Sequence, residues 1–315
     1  MTFRVHAYAY YAKRLEAPLQ AVFPDAEIVI LPDEAAYLEA LPEIEYLAAL
    51  KPPAGHWDKA VKLRMVQSLG AGIDHLMPLD GIRPEAVICN AAGLAAEPMG
   101  EFALAQTLMM IKRAAWGFTS QRNKRWRVYM PGTAAGSTVA VLGLGRIGES
   151  FARKAGALGM RVVGTQRNPR PVEGVDAVYG ADETAKAVEQ ADVVVCILPL
   201  TPETRNVLDE PMMRRMKKGA CLVNLGRGGL VDEAALIRLL EEGHLDSAML
   251  DVFEQEPLPE DHPLWDAPNL ILTPHVAGGF PDYMGAVCRL FGENYRAFQA
   301  GEPMKTHVPD PARGY

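Results

Sequence analysis

Long apolar runs, a signal peptide and clustered cysteines are all missing from this sequence of 315 residues. No stretch approaches the roughly 20 apolar residues that a membrane-spanning helix needs, and the first residues lack the apolar core of a signal peptide. The 32 Lys and Arg residues are outnumbered by 39 Asp and Glu residues, so no global charge attracts nucleic acid or an acidic membrane. These features predict a globular protein of the cytoplasm.

The cysteines have no arrangement that indicates chemistry. They are scattered along the chain, mostly in apolar surroundings, without the spacing of zinc ligands or of a disulfide framework. We therefore predict free thiols in a reducing compartment, and no metal site. The four are Cys89, Cys196, Cys221 and Cys288.

Residues 138–148, which read TVAVLGLGRIG, are the most informative stretch. The apolar start is typical of a strand buried on both faces, and a helical pattern follows from Ile147 to Leu158. Between them, Gly143, Gly145 and Gly148 have the G-x-G-x-x-G spacing of a dinucleotide site. There the first glycine permits a tight turn, the second lets a pyrophosphate approach the backbone, and the third lets helix and strand pack closely. Such a spacing alone is weak evidence, but the flanking elements strengthen it.

Short apolar runs alternate with helical patterns before and after this motif. The first 95 residues contain five strand candidates and resemble an α/β unit, and at least six parallel strands are predicted from residue 138 onward. One long helix is predicted over Glu97–Trp116 and another over Tyr283–Phe298. The strand candidates are 3–8, 27–31, 46–50, 65–69, 86–89, 138–142, 161–164, 192–198, 221–225, 247–252 and 270–273.

Three charged side chains follow strand candidates of the second group. Ligands bind at the carboxyl ends of such strands, and Arg227, Glu256 and His275 all lie there. Arg227 stands between glycines, which leave its guanidinium free to bind a carboxylate in a forked arrangement, although a surface arginine is the simpler interpretation. A lone histidine is more often structural than catalytic. A carboxylate partner such as Glu256 orients the ring for proton transfer, and Asp251 is a second acid at the same strand end.

Together these residues suggest hydride transfer from a nicotinamide to a 2-oxo acid. The arginine would hold the substrate carboxylate and polarise the oxo group, while the histidine would protonate the new alkoxide. Two further features stay open at this point. Gly70-Ala71-Gly72 is either a plain glycine turn or a set of amides that face a carboxylate. The basic run around Trp126 is either a solvated face or part of the edge of a cleft.

Four strings decide the family that the chain resembles: Gly143–Gly148, Asn224–Glu233, Leu250–Pro259 and Thr273–Ala277. In order and spacing they resemble the D-isomer-specific 2-hydroxyacid dehydrogenases. The resemblance implies an α/β protein with two doubly wound parallel-sheet domains, Rossmann- or flavodoxin-like, and a cleft between them. Residues 1–95 and 282–315 would form the substrate domain, and residues 96–281 the dinucleotide-binding domain. Family members are commonly dimers formed through the nucleotide domain.

The resemblance also implies roles for single residues. Arg227, Glu256 and His275 would be the catalytic trio, and Asp251 would hold the nicotinamide end. Ala71 and Gly72 would face the substrate and cofactor, which reverses the plain interpretation of that turn, and Trp126 would lie beside the active site, across the dimer. The predicted cofactor-binding residues are Gly143, Gly145, Arg146, Ile147, Gly148, Gln166, Arg167, Arg170, Leu198, Pro199, Leu225, Gly226, Asp251, His275 and Gly278.

Softer signals favour one branch of the family. Gly70–Asp74, Arg125-Trp126-Arg127 and the prolines near Trp265 are similar to the bacterial glyoxylate/hydroxypyruvate reductases of the A type. We therefore expect a homodimeric reductase of glyoxylate or hydroxypyruvate. The alternatives are the same chemistry on a bulkier 2-oxo acid or on 3-phosphoglycerate, and a non-enzymatic dinucleotide sensor similar to the family's co-repressors. The intact trio speaks against the sensor.

The residues after the second strand of the nucleotide unit bear on cofactor choice. NAD sites place an acid about 20 residues past the glycines, on the ribose hydroxyls, but Gln166 stands here instead. The missing acid removes a repulsion, and Arg167 and Arg170 can bind a 2′-phosphate with charge-assisted hydrogen bonds. The sequence predicts NADP(H) over NAD(H), with two merely solvated arginines as the alternative.

Overall fold

The computed structural model describes residues 3–310, which divide into two compact α/β units. Within the described residues, the first unit contains 3–95 and 280–310, and the second contains 96–279. The chain re-enters the first unit at Phe280, where the sequence placed this boundary at residue 282. The second unit is therefore inserted into the first.

The first unit is built around a five-stranded parallel sheet with the order β2-β1-β3-β4-β5. Its strands β3 and β4 are buried along their whole length. The apolar sequence of β3 is typical of such a strand, whereas β4 buries the polar Gln67 and Ser68 as well. The turn Gly70–Gly72 follows β4. The elements are β1 (Arg4–Tyr8), α1 (Glu16–Val22), β2 (Glu27–Leu31), α2 (Glu34–Ala40), β3 (Tyr46–Ala49), β4 (Met65–Ser68) and β5 (Val87–Cys89).

The second unit has a seven-stranded parallel sheet with the order β12-β11-β10-β9-β6-β7-β8. The chain order reverses beside β6, which pairs with β7 on one side and with β9 on the other. Crevices that bind ligands in such sheets form at this reversal, and the G-x-G-x-x-G turn follows β6. The elements are α3 (Ala96–Ile111), α4 (Ala114–Arg122), β6 (Thr138–Leu142), α5 (Arg146–Ala157), β7 (Arg161–Thr165), β8 (Ala177–Tyr179), α6 (Thr184–Val188), β9 (Val193–Cys196), α7 (Glu210–Arg215), β10 (Ala220–Asn224), α8 (Glu233–Glu241), β11 (Leu245–Leu250) and β12 (Leu270–Leu272).

The last helix, α9 (Tyr283–Ala300), belongs to the first unit and packs with its apolar face against α1. It ends at Gly301, whose φ of 70° is the left-handed conformation that closes many helices. The buried side chains of Val287, Cys288 and Phe291 join the same hydrophobic cluster as β1 and β3. The carboxyl-terminal part of the chain therefore completes the core of the first unit.

Two parts of the second unit differ from the sequence prediction. The helix predicted over Glu97–Trp116 is broken at Arg113, which has a φ of 54° and whose guanidinium lies 3.2 Å from Asp246. No glycine or proline marks this break, so the pattern did not reveal it. The short strand β8 was not predicted at all: it has only three residues, Ala177 to Tyr179, and it is not part of a longer apolar run. With β8 the described sheet has seven strands, which agrees with the prediction of at least six.

The described part of the chain bears on the predictions for the cysteines, for metal ligands and for membrane spans. All four thiols are free and buried, and burial raises the pKa of the Cys89 and Cys288 thiols to about 12. Within residues 3–310, no cluster of His, Cys, Asp or Glu side chains is arranged to hold a metal ion. In the same range, no helix combines the length and apolarity that crossing a bilayer requires.

Candidate active site

The turn that carries Arg227 is shaped by the last residue of β10. Asn224 is fully buried, and its Nδ2 donates to the carbonyl oxygen of Arg227 at 2.9 Å. Its Oδ1 accepts from the amide nitrogen of Gly226 at 3.1 Å. Both the Nδ2 and the Oδ1 atoms of Asn224 are thus hydrogen-bonded to backbone groups of the turn, as the burial of a polar group requires. Arg227 itself is half-buried, and its guanidinium donates to the carbonyl oxygen of Gly226 at 2.9 Å.

Gly228 explains why a glycine must follow the arginine. A Cβ atom at this position would overlap the carbonyl group of Phe253, so the two backbones are in direct contact. Phe253 belongs to the loop after β11 that carries Glu256. The turn with Arg227 and the loop with Glu256 are therefore packed against each other, which no side chain at position 228 would permit.

Glu256 and His275, which the sequence analysis suggested as partners, lie within hydrogen-bonding distance of each other. Nδ1 of His275 lies 2.8 Å from Oε2 of Glu256, and the side chains are 46% and 22% exposed. The other carboxylate oxygen of Glu256 accepts from the amide of Phe253 at 3.2 Å. With Nδ1 bound to the carboxylate, Nε2 on the opposite side of the ring is the nitrogen that can exchange a proton with a ligand.

His275 is held in a conformation that few residues other than glycine adopt. Its φ is 53°, and such a backbone costs roughly 1–3 kcal/mol, which surrounding contacts must offset. Asp251 provides them: its carbonyl oxygen accepts from the amide of His275 at 2.8 Å. Its carboxylate accepts from the amides of Val276 and Ala277, both at 2.9 Å, and from the hydroxyl of Thr273. Asp251 is 1% exposed, so it fixes the histidine turn from within.

A second acid, which the sequence analysis missed, holds the loop of Glu256. Oε1 of Glu233 accepts from the amide of Glu254 at 2.9 Å, and its Oε2 lies 3.6 Å from Nε2 of His262. Burial raises the pKa of Glu233. Its position in the first turn of α8 is where any acid complements a helix dipole, so the sequence gave no separate signal for this role.

The three glycines after β6 differ in their surroundings. Gly143 has a φ of 104°, which favours glycine, and a Cβ on Gly148 would overlap the carbonyl oxygen of Gly143. By contrast, a Cβ on Gly145 would meet no atom within 4 Å, and Gly145 and Arg146 are exposed at the amino terminus of α5. Two glycines are thus required by packing. The third leaves open space at a helix end that attracts anions.

The other predicted cofactor residues lie at the same ends of the strands. Gln166 Nε2 donates to the carbonyl oxygen of Leu144 at 2.6 Å, its Oε1 accepts from the amide of Arg170 at 3.2 Å, and it is not exposed. Arg167 is exposed, whereas the guanidinium of Arg170 pairs with Glu149 of α5. Ile147, Leu198 and Gly278 are half-buried, Pro199 is exposed, and Leu225 and Gly226 are buried.

The remaining site candidates lie elsewhere in the chain. Ala71 is exposed and Gly72 half-buried in the turn after β4 of the first unit. Trp126 is 99% exposed in the irregular segment between α4 and β6. The structure thus joins Glu256 to His275 and packs the turn of Arg227 against the loop of Glu256. The contacts of Ala71, Gly72 and Trp126 with ligands stay predictions.

Comparison with known proteins identifies the family. The family described as D-isomer specific 2-hydroxyacid dehydrogenase, NAD binding domain, matches residues 104–277. The chain belongs to the D-isomer-specific 2-hydroxyacid dehydrogenases. Its relatives include the glyoxylate/hydroxypyruvate reductase A of Serratia proteamaculans, 33% identical over 239 residues, which cover 74% of this chain and 76% of that protein. They also include the glyoxylate reductase of Korarchaeum cryptofilum, 32% identical over 282 residues, with coverage of 86% and 84%.

A solved structure of the family extends the likeness to both units. The NADPH-dependent glyoxylate/hydroxypyruvate reductase of Sinorhizobium meliloti, in complex with NADP and sulfate, matches with a TM-score of 0.89 and 30% identity. The match covers 100% of both chains. The predicted fold class of two parallel α/β units is confirmed, and the second unit carries the family's dinucleotide-binding domain.

The contrast between Gly145 and Gly228 is testable by adding one methyl group to each. Gly145→Ala should unfold at the temperature of the unchanged protein but bind NADPH at least tenfold more weakly, because the methyl group occupies only the space for the pyrophosphate. Gly228→Ala should unfold at a clearly lower temperature, since overpacking costs about 1–3 kcal/mol. Thermal unfolding and fluorescence titration with NADPH measure both effects. Unchanged NADPH affinity in Gly145→Ala, or unchanged stability in Gly228→Ala, would contradict this interpretation.

Proposed function

We propose that this dehydrogenase reduces a small 2-oxo acid, glyoxylate or hydroxypyruvate, to the D-2-hydroxy acid with NADPH. The observation that carries the proposal is the ion pair of His275 with Glu256, 2.8 Å long, beside the turn of Arg227. These are an acid, its orienting carboxylate and a carboxylate-binding cation at neighbouring strand ends. The relatives named as glyoxylate and hydroxypyruvate reductases support the choice of substrate.

The chain's residues fit a dinucleotide on one geometric ground. The exposed amino terminus of α5 offers amide groups to a pyrophosphate, and at Gly145 the adjoining space is open on the side where a Cβ would stand. A bound nicotinamide supplies the hydride that becomes attached to the 2-oxo carbon. Gly143 and Gly148 keep the turn close to β6 and α5, so the binding surface is formed before the ligand arrives.

Arg227, Glu256 and His275 supply the proton and bind the negative charge of the substrate. His275 gives a proton from Nε2 to the carbonyl oxygen as that oxygen gains charge, while Glu256 holds Nδ1 and stabilises the ring in its charged form. Arg227 binds the substrate carboxylate and polarises the carbonyl group. One hydride to carbon and one proton to oxygen complete the hydroxy acid, and the backbone of Ala71 and Gly72 is proposed to hold the carboxylate as well.

Two other functions use the same residues differently. Phosphoglycerate or a bulkier 2-oxo acid would need the same trio, so only substrate trials separate them. A dinucleotide sensor without catalysis would have no need for a carboxylate on Nδ1 of His275 or for a guanidinium on the adjoining turn. The specific pairing of His275 with Glu256 therefore favours an enzyme.

We also propose a homodimer, in which the segment between α4 and β6 packs against the second copy. Its side chains Trp126, Val128 and Met130 are 99%, 81% and 81% exposed, an unusual concentration of apolar groups in water. The basic residues on either side of Trp126, Arg125 and Arg127, would meet the net negative charge of the partner. A second copy of this acidic chain thus fits both the apolar and the charged groups.

Removing the acid should abolish turnover and spare binding. We expect His275→Ala to lower kcat for glyoxylate by about 10²–10⁴, the usual contribution of a general acid, and Glu256→Gln to lower it less. NADPH oxidation with a panel of 2-oxo acids and 3-phosphohydroxypyruvate measures the effect and ranks the substrates. His244→Ala, which changes a histidine at the opposite end of β11, is the control. Full activity of His275→Ala would refute the proposed acid.

The choice of NADPH is tested at Arg167, which follows β7, with Arg161 at the start of β7 as the control. Arg167→Ala should raise KM for NADPH about tenfold or more, because a charge-assisted hydrogen bond contributes about 1.5–3 kcal/mol, and it should leave KM for NADH within twofold. Arg161→Ala removes an arginine from the amino end of β7, roughly 20 Å away along the chain, and should change neither constant. A parent protein that prefers NADH would overturn the assignment.

The dimer is tested by its mass in solution. Analytical ultracentrifugation should give twice the mass of one chain, and the triple variant Trp126→Ser, Val128→Ser, Met130→Ser should give a monomer. Tyr10→Ser, which replaces an aromatic residue that is 90% exposed in the first unit, should stay dimeric. A monomeric parent, or a dimeric triple variant, would exclude this surface as the interface.

A further inference from the structure

The glycine turn after β4 is held by one buried hydroxyl group. Ser68 is fully buried, and its Oγ lies 3.1 Å from the amide nitrogen of Gly70. The same oxygen lies 2.9 Å from the carbonyl oxygen of Gly70 and 3.2 Å from that of Gly72. A serine hydroxyl accepts two hydrogen bonds and donates one. It therefore accepts from the Gly70 amide and donates its single hydrogen to a carbonyl of the turn.

His75 completes the set of partners of this hydroxyl. Its Nε2 lies 3.3 Å from Ser68 Oγ, within reach of the second acceptor position. The ring also backs onto the turn, because a Cβ on Gly70 would lie 3.3 Å from Cε1 of His75. With its proton on Nε2, the half-buried imidazole donates to Ser68 and fills the space beneath Gly70. The Ser68 hydroxyl and the His75 imidazole thus contact each other, and both contact the Gly70–Gly72 turn.

Neighbouring elements hold the flanking carbonyl groups. The hydroxyl of Tyr283, the first residue of α9, donates to the carbonyl oxygen of Leu69 at 2.5 Å. The amide of Ala91 donates to the carbonyl oxygen of Gly70 at 2.9 Å. The carbonyl groups of Leu69 and Gly70 are thus both held by hydrogen bonds. The hydroxyl of Ser68 and the amide of Ala91 both lie within bonding distance of the Gly70 carbonyl, and they set the plane of the peptide between Gly70 and Ala71.

The orientation of the amides follows from the planar trans peptide. Its C=O and N–H groups point in opposite directions, so the carbonyl of Gly70, directed at Ser68 and Ala91, turns the amide of Ala71 away from them. The residue Ala71 is exposed, and within residues 3–310 its amide makes no hydrogen bond. A fixed, unused backbone donor on a loop without bulky side chains is suited to an anion.

We propose that Ser68 and His75 are positioning residues for the substrate carboxylate, and that they act by holding the carbonyl groups of the Gly70–Gly72 turn so that the amide of Ala71 faces the ligand. The inference rests on the proposed reduction of a 2-oxo acid. Neither side chain touches the substrate or the cofactor. Their contribution is to the affinity for the acid and not to the affinity for the dinucleotide.

The test is a comparison of two Michaelis constants. Ser68→Ala should raise KM for glyoxylate at least fivefold and leave KM for NADPH within twofold, because only the turn loses its support. Ser247→Ala removes another buried hydroxyl, which contacts Cys221 in the second unit at 3.3 Å, and should change neither constant. An unchanged KM for glyoxylate in Ser68→Ala, or an equal rise of both constants, would overturn the proposal.

Variants of His75 keep the test decisive if Ser68→Ala does not fold. His75→Gln retains an N–H donor near the position of Nε2 and should stay within twofold of the parent. His75→Leu loses the donor and should raise KM for glyoxylate at least fivefold. Equal constants for His75→Leu and His75→Gln would exclude a role for the donor.

The outcome can be separated from that of the proposed function. A parent protein that reduces no 2-oxo acid refutes the proposed function itself. Calorimetric titration with oxamate in the presence of NADPH then still tests the inference, since oxamate carries the same carboxylate and needs no turnover. Affinity for oxamate reduced at least fivefold in Ser68→Ala and in His75→Leu supports the proposal. Equal affinity, or no binding to the parent, overturns it.

Discussion

The buried carboxylate of Asp251 is the interaction on which the candidate site depends. It receives two amide hydrogen bonds and one hydroxyl hydrogen bond from the residues on either side of His275. Hydrogen bonds to a charged acceptor contribute about 1.5–3 kcal/mol each, which exceeds the roughly 1–3 kcal/mol cost of a left-handed histidine backbone. The conformation that presents the imidazole to Glu256 is thus stabilised by a neighbour that has no need to touch the substrate.

Close backbone contact is the second constraint, and it is exerted by glycines. Gly228 lets the turn after β10 lie directly against the loop after β11, and Gly148 lets α5 approach the turn after β6. In both places a methyl group would collide with a carbonyl group, so the contact distance fixes the residue type. Packing does not require a glycine at position 145, because no atom of the described chain lies within 4 Å of the place where its Cβ would stand.

The sequence predicted the features that depend on local patterns. Short apolar runs in the sequence indicate buried parallel strands, so the bounds of β6, β9 and β10 were predicted to within a few residues. Glu256 was a candidate partner of His275 because both follow strand candidates of the same sheet, and the family resemblance then implied that they act together. The break at Arg113 coincides with an ion pair to the distant Asp246, and a contact of that kind leaves no trace in local periodicity. The same holds for Glu233, whose bond to the amide of Glu254 joins residues 21 positions apart.

A buried polar residue holds a neighbouring turn at three strand ends, two in the second unit and one in the first. Asn224 ends β10, Asp251 follows β11 directly, and Ser68 ends β4; all three are polar and at most 1% exposed. Burying such a group costs free energy unless its hydrogen bonds are made. Asn224 and Ser68 make them with backbone groups of the turn that follows their own strand, and Asp251 makes them with Thr273, Val276 and Ala277 after the neighbouring strand β12. When all hydrogen bonds of the buried polar side chain go to a turn, that turn is held in one geometry. An exposed polar side chain can bond to water instead and would not hold the turn in this way. A polar residue at the last position of an otherwise apolar strand is therefore a sequence signal for a shaped turn, and Asn224 at the end of β10 carries that signal plainly. At Ser68 the signal is weaker, because the preceding residue of β4, Gln67, is polar as well.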